Sequence, residues 1–239
     1  MSTPWNFTTA SETQSVGMSK TFMANVFAWM FAALSITAIT AYYIASDESI
    51  LRLMFNETGR TGLGMVVMFA PLIFVLVMSF GLQRLSYPVI LTLFLAYAVT
   101  MGASLSTILL VFSAASVMKT FAVCSIMFGV MAVAGYTTQT DLTRLGNILM
   151  MGVIGLVIAS LINMFTRSTG FDYIISFFGV AIFTGLTAYD VQKLKEIGSG
   201  ITYPSEASKK QVVMGALSLY LDFINLFMYL LRFFGDRRD

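Results

Sequence analysis

The stretch QVVMGALSLYLDFINLFMYLLR, Gln211–Arg232, decides how this chain is read. Within it Gln211, Gly215, Ser218, Asp222, Asn225, Tyr229 and Arg232 recur at alternating steps of four and three. At about 3.6 residues per turn that spacing puts all of them on one face of a helix. The other faces are Leu, Phe, Ile, Met and Val almost throughout. A helix over 211–234 is long enough to cross a hydrocarbon layer of about 30 Å. Asp222 then lies near mid-membrane. Ionisable groups at such depth are costly and mark an ion path, a proton relay or a polar interior contact.

Working outward, the whole chain has the composition this segment announces. Of its 239 residues 57% are hydrophobic and 11% charged, with a mean hydropathy of +0.82. Soluble domains carry roughly 25% charged residues, so this is an integral membrane protein whose first partner is the lipid bilayer. A net charge of +2 gives no reason to expect nucleic acid. Histidine is absent, which excludes histidine-ligated metal sites and a Ser-His-Asp triad and leaves any pH response to carboxylates. Cys124 is the single cysteine and sits in an apolar run, so it is expected to be a small buried hydrophobe. No cofactor is expected.

Seven apolar segments meet the length of about 20 residues that a bilayer demands: 21–45, 61–82, 87–111, 114–135, 147–165, 173–194 and 211–234. Helical periodicity without alternating strands excludes a β-barrel. The division is a polar, mobile N-terminal tail over 1–20, a seven-helix membrane domain over 21–235 and a short charged tail over 236–239. Ser46–Arg60, Tyr136–Gly146 and Lys195–Lys210 read as loops, and Phe112–Ser116 lacks a strong breaker. The pairs Gly155/Ala159 and Ser125/Gly129 predict close helix contacts. Lys and Arg in the connecting loops number six on the N-terminal side (Arg84, Arg144, Lys193, Lys195, Lys209, Lys210) and four on the other (Arg52, Arg60, Lys119, Arg167). That small excess favours a cytoplasmic N-terminus.

Two aspartates fall inside apolar segments, Asp190 in the sixth and Asp222 in the seventh; the other acids lie in loops or tails. Thr187 shares a face with Asp190, and Ser218, Asn225 and Tyr229 share one with Asp222. One bland reading pairs Asp190 with Lys193 one turn on and gives Asp222 a single interhelical hydrogen bond. The functional reading brings the two carboxyls together, where one proton would be shared because both cannot ionise cheaply. With Thr187, Ser218, Asn225 and water they would offer Ca²⁺ a partial oxygen shell, suited to transit rather than storage. Helix lengths set Asp222 about 16 Å and Asp190 about 6 Å from their shared connection, so contact requires tilt or shifted helix ends.

Three runs, in order, resemble the transmembrane Bax inhibitor motif family, its bacterial branch in particular: Gly135-Tyr-Thr-Thr-Gln-Thr-Asp-Leu142, Leu186-Thr-Ala-Tyr-Asp-Val-Gln-Lys-Leu-Lys195 and Ala216-Leu-Ser-Leu-Tyr-Leu-Asp-Phe-Ile-Asn-Leu-Phe227. The resemblance implies an all-α fold of seven transmembrane helices, the C-terminal one central and wrapped by the other six. It implies a pH-sensitive calcium leak of the bacterial inner membrane whose sensor matches Asp190 and Asp222, with calcium and protons as the species handled. Some members carry a basic residue in the second span that meets the acidic pair; none stands between Thr61 and Leu82 here. The alternative function that the resemblance implies is an interaction protein that modulates a membrane-bound protease, with the tail 1–20 as its handle. An enzyme is not expected. Intramembrane aspartyl proteases carry Gly-x-Gly-Asp on the second of two aspartate-bearing helices, and Leu219-Tyr220-Leu221-Asp222 lacks both glycines. A retinal protein would need a lysine within 211–234, which has none.

Overall fold

A computed structural model of the chain describes residues 7–56, 59–201 and 204–236, with side chains from 19 onward. The elements are α1 (Phe7–Ser46), α2 (Glu48–Met54), a two-residue β1 (Phe55–Asn56) paired antiparallel with β2 (Gly59–Arg60), α3 (Gly62–Gly81), α4 (Tyr87–Val111), α5 (Ala114–Thr137), α6 (Thr143–Thr166), α7 (Thr169–Gly200) and α8 (Glu206–Phe234). All the long helices, α1 and α3 to α8, are long and apolar enough to cross a membrane, α1 from Ser19. The seven expected spans are all present.

The boundaries differ where charge was mistaken for loop. Lys195, Glu196, Glu206, Lys209 and Lys210 lie on helix, so α7 and α8 run beyond the apolar segments and their connection shrinks to 201–205. Helices that leave the bilayer keep their hydrogen bonds and turn charged side chains to water. Ser205 stops the connection with a capping box, its hydroxyl accepting from the Ser208 amide while the Ser208 hydroxyl accepts from the Ser205 amide. The break between α4 and α5, which lacks a breaker, is made by capping. The Ser113 hydroxyl accepts from the Ser116 amide, and the Asp236 backbone ties to both Ser113 and Ser116. Ser46–Arg60 is a short helix and hairpin rather than a loop. Of the tail expected over 1–20, residues 7–20 continue α1, since a formed helix propagates more easily than it nucleates; residues 1–6 lie outside the described residues.

Alpha8 is the axis. It is 67% buried along its span, against 6% for α6 and 17% for α3. Helices α1, α4, α5 and α7 pack directly on it, whereas α3 packs on α4 and α6 on α7 as an outer layer. The core around the axis includes Leu219, Tyr220, Leu226 and Leu230 of α8, Val26 and Met30 of α1 and Ile90, Phe94 and Tyr97 of α4. Tyr220 stands edge-on to Tyr97 at 5.2 Å, and its hydroxyl meets Thr37 at 2.7 Å. Thr37 also donates to the Ala98 carbonyl, joining α1, α4 and α8 by side chains whose polar atoms have no water to turn to. The outer helices show Phe69, Leu72, Ile154 and Leu161 outward, as a lipid-facing surface requires.

The small-residue pairs do not make the contacts expected of them. A Cβ placed on Gly129 or Gly155 meets nothing within 4 Å. Close backbone approach occurs instead at Gly135, where a Cβ would strike the Ala188 carbonyl and force α5 off α7.

Candidate functional site

Helices α7 and α8 are joined by five residues, so they run antiparallel. Asp190 lies ten residues before the end of α7, about 15 Å along the axis, and Ser218 twelve residues into α8, about 18 Å. The two are therefore nearly level, and the Ser218 hydroxyl donates a short hydrogen bond to Asp190 Oδ2. Asp222, one turn deeper, is reached by side-chain direction. Every Cα–Cβ bond tilts toward its helix N-terminus, which in an antiparallel pair aims Asp190 toward Asp222 and Asp222 back toward Asp190. Both carboxyls line the same cavity and are aimed toward each other from the two helices. The later end of α7 and the earlier start of α8 carry both aspartates away from the connection by nearly the same distance, so a difference in depth of about 9 Å remains for the side-chain tilt to span.

Asp222 is 5% exposed, and its Oδ2 faces no hydrogen-bond donor among the described residues. A carboxylate only accepts, so two carboxylates in contact satisfy each other only when one carries a proton or a cation lies between them. Lys193 makes no ion pair with either carboxyl, although its charge is near enough to act on Asp190. Among the described residues the ion pairs are Arg52–Glu48, Lys210–Glu206 and Arg232–Asp172, and the Lys193 ammonium lies 5.7 Å over the Tyr189 ring. No basic residue of α3 is available either, because α3 contains none and packs on the far side of α4.

The pair forms part of the wall of a cavity of about 370 Å³. This space exists because α6 packs on α7 and stands off α8. Ser218, Asp190, Asp222, Asn225 and Tyr229 make its polar wall; Met150, Val153 and Val157 of α6 close it with apolar groups. Asn225 spends its amide N–H on the Leu221 carbonyl of its own helix, at 2.8 Å, and among the described residues no donor takes its side-chain oxygen. Thr187 does not join the site: it is fully buried and donates to the Phe183 carbonyl one turn back, at 2.8 Å. No cluster of three or more metal-ligating acids, cysteines or histidines occurs among the described residues.

The first two sequence runs prove to be one interlocked unit. Gln192, two residues after Asp190, accepts from the Leu142 amide and donates to the Thr140 carbonyl, each at 2.8 Å. Lys195 donates to the Tyr136 carbonyl at 2.8 Å and covers its ring at 5.1 Å. With Gly135 seated on Ala188, α7 is thereby fixed to the α5–α6 connection just beside the aspartates. Gln192 was missed as a functional position, although a glutamine inside a motif that holds a buried acid was the available signal.

Comparison with known proteins agrees with this architecture. The family described as "Inhibitor of apoptosis-promoting Bax1" matches residues 19–239. The inner membrane protein YbhL of Escherichia coli (strain K12) is 45% identical over 221 residues, 92% of this chain and 93% of YbhL. A Rickettsia prowazekii protein is 42% identical over 91% of this chain and 90% of its own length, and a Borreliella burgdorferi protein 40% identical over 95% and 97%. With a family match from α1 to the C-terminus and relatives of equal length, the chain belongs to the Bax inhibitor family of membrane proteins.

Proposed function

We propose that the chain is a pH-sensitive calcium leak of a bacterial inner membrane, gated by Asp190 and Asp222. The observation that supports this most is the placement of two carboxyls in the wall of one cavity in the membrane domain, one of them with an oxygen that has no donor among the described residues. The location is that of YbhL, an inner membrane protein. A shared proton holds α7 and α8 together. When that proton leaves, two like charges in a weakly screened site repel, and a divalent cation can take its place as the bridge. Asp190, Asp222, Ser218 and the free oxygen of Asn225 supply an incomplete oxygen shell, which binds Ca²⁺ loosely enough to release it. Protons and Ca²⁺ compete for one position, so apparent Ca²⁺ affinity falls as pH is lowered.

The test is Ca²⁺ entry into proteoliposomes, without ATP, between about pH 5 and 8. Flux down the gradient with a marked pH dependence is expected. Asp222→Asn replaces the shared proton by a permanent N–H donor to Asp190 and is expected to flatten that dependence. Protein with Cys124 still protected from thiol reagents, and therefore folded, that passes no Ca²⁺ at any pH would sink the proposal.

A further inference from the structure

We propose that Tyr229 is the constriction of the path, a ring that separates the aspartate cavity from a second cavity opening toward the C-terminal end of α8. The second cavity, about 540 Å³, is lined by Ser160 and Asn163 of α6, Asp172 of α7 and Met228, Leu231 and Arg232 of α8. The changeover between the two spaces falls at one level on both helices. On α6 it lies between Val157 and Ser160; on α8 it lies at Met228 and Tyr229. At that level Ser160 of α6 lines the second cavity and Tyr229 of α8 the first.

The ring is held in place from behind. It stacks on Phe183 of α7 at 5.8 Å with an interplanar angle of 23°. A Cβ on Gly179 would strike its atoms, so that glycine is what gives the ring room. The Arg232 guanidinium lies 6.0 Å from the ring and 3.8 Å from the Asp172 carboxylate. Passage from the aspartates to the second cavity therefore requires the ring to swing. Beyond it a cation meets the Asp172 carboxylate, which also pairs with Arg232. This rests on the leak reading for its purpose, but the barrier itself does not depend on which ion moves.

The experiment reads access rather than flux. In a Cys124→Ser background, Asn163→Cys reports the outer cavity and Asn225→Cys the inner one. A membrane-impermeant thiol reagent is added to spheroplasts and to inverted vesicles, and the face from which Asn163→Cys reacts is used thereafter. From that face Asn225→Cys is expected to react slowly. Adding Tyr229→Ala is expected to speed its labelling by about tenfold or more, because a packed aromatic barrier has been removed, while Asn163→Cys keeps its rate. Tyr229→Leu serves in the same way if the alanine variant does not fold. An unchanged Asn225→Cys rate in a folded variant overturns the proposal. Faster labelling with no Ca²⁺ flux in any variant leaves the constriction standing and removes the calcium reading; Ca²⁺ flux with unchanged labelling does the reverse.

Discussion

Replacing Gln192 by alanine removes the clamp between α7 and the α5–α6 connection, and its cost can be worked from the two bonds it makes. Both are 2.8 Å long and both go to backbone atoms, one to the Leu142 amide and one to the Thr140 carbonyl. Thr140 is exposed, so water replaces the donor to its carbonyl at a loss of about 1 kcal/mol. Leu142 is half-buried, and an amide stranded there costs about 1 to 2 kcal/mol. The sum is about 2 to 3 kcal/mol, which for a chain of this size corresponds to a fall of roughly 4 to 12 °C in unfolding midpoint. Cys124 supplies the assay. It is the single cysteine and fully buried, with its thiol against the Phe223 carbonyl, so a thiol-reactive fluorophore in detergent lights only as the bundle opens. Gln192→Glu keeps the acceptor and loses the donor, and should fall between wild type and alanine. A Gln192→Ala midpoint within about 1 °C of wild type would mean that the two bonds exchange freely with water and that the clamp does not stabilise the site.

The same fluorophore should show Gly135→Ala destabilised by about 1 to 3 kcal/mol, the usual cost of overpacking, while Gly129→Ala, whose Cβ meets nothing, should be neutral or stabilising by up to about 1 kcal/mol through helix propensity; equal effects would refute the close approach of α5 to α7. Asp190→Asn should alter the pH dependence of Ca²⁺ flux as Asp222→Asn does, whereas Asp47→Asn should leave it in place, since Asp47 only caps α2 at the surface; a double-mutant cycle on Asp190 and Asp222 that is simply additive would show that the pair does not act as a unit. The Thr143 hydroxyl, and then its amide at the start of α6, hold the Asp141 carboxyl below the usual carboxylate range. Its stabilising contribution is present above the ordinary carboxylate pKa and lost as pH falls through the depressed one, so amide exchange at Thr143 should quicken in Asp141→Asn at neutral pH and match wild type in strong acid; a difference that persists in strong acid would point to another cause.

Why some features were legible from sequence and others not follows from what each depends on. The seven spans are set by local hydropathy and length, and the centrality of α8 by a stripe of polar residues that no lipid-facing helix could carry, so both can be read along the chain. Helix ends depend on capping and on water beyond the bilayer, and Lys195–Lys210 deceived because the same lysines and glutamates suit a loop or an emergent helix. The glycine pairs deceived for a related reason: spacing on α5 and α6 says nothing of which face meets a neighbour, and Gly129 and Gly155 face open space. Asp190, Ser218 and Asp222 were visible as polar residues in apolar runs. Their sharing of one cavity was not, because it rests on the packing of α6 and on the antiparallel tilt of two Cα–Cβ bonds.

The arrangement of Asp222 weighs against a purely structural role for the pair. A carboxyl near the middle of a membrane helix costs about 2.5 to 3.5 kcal/mol on insertion scales. If its task were only to join α7 to α8, the Ser218 hydroxyl already does so through Asp190. Packing would accept an apolar residue at 222 as readily as it accepts Leu219 and Leu226 on the neighbouring faces. Instead the chain keeps a second acid near the first and holds α6 away from α8 so that a cavity of about 370 Å³ adjoins both. A static contact does not need the space. A site that exchanges one bridging cation for another does, because the incoming ion must have room to approach.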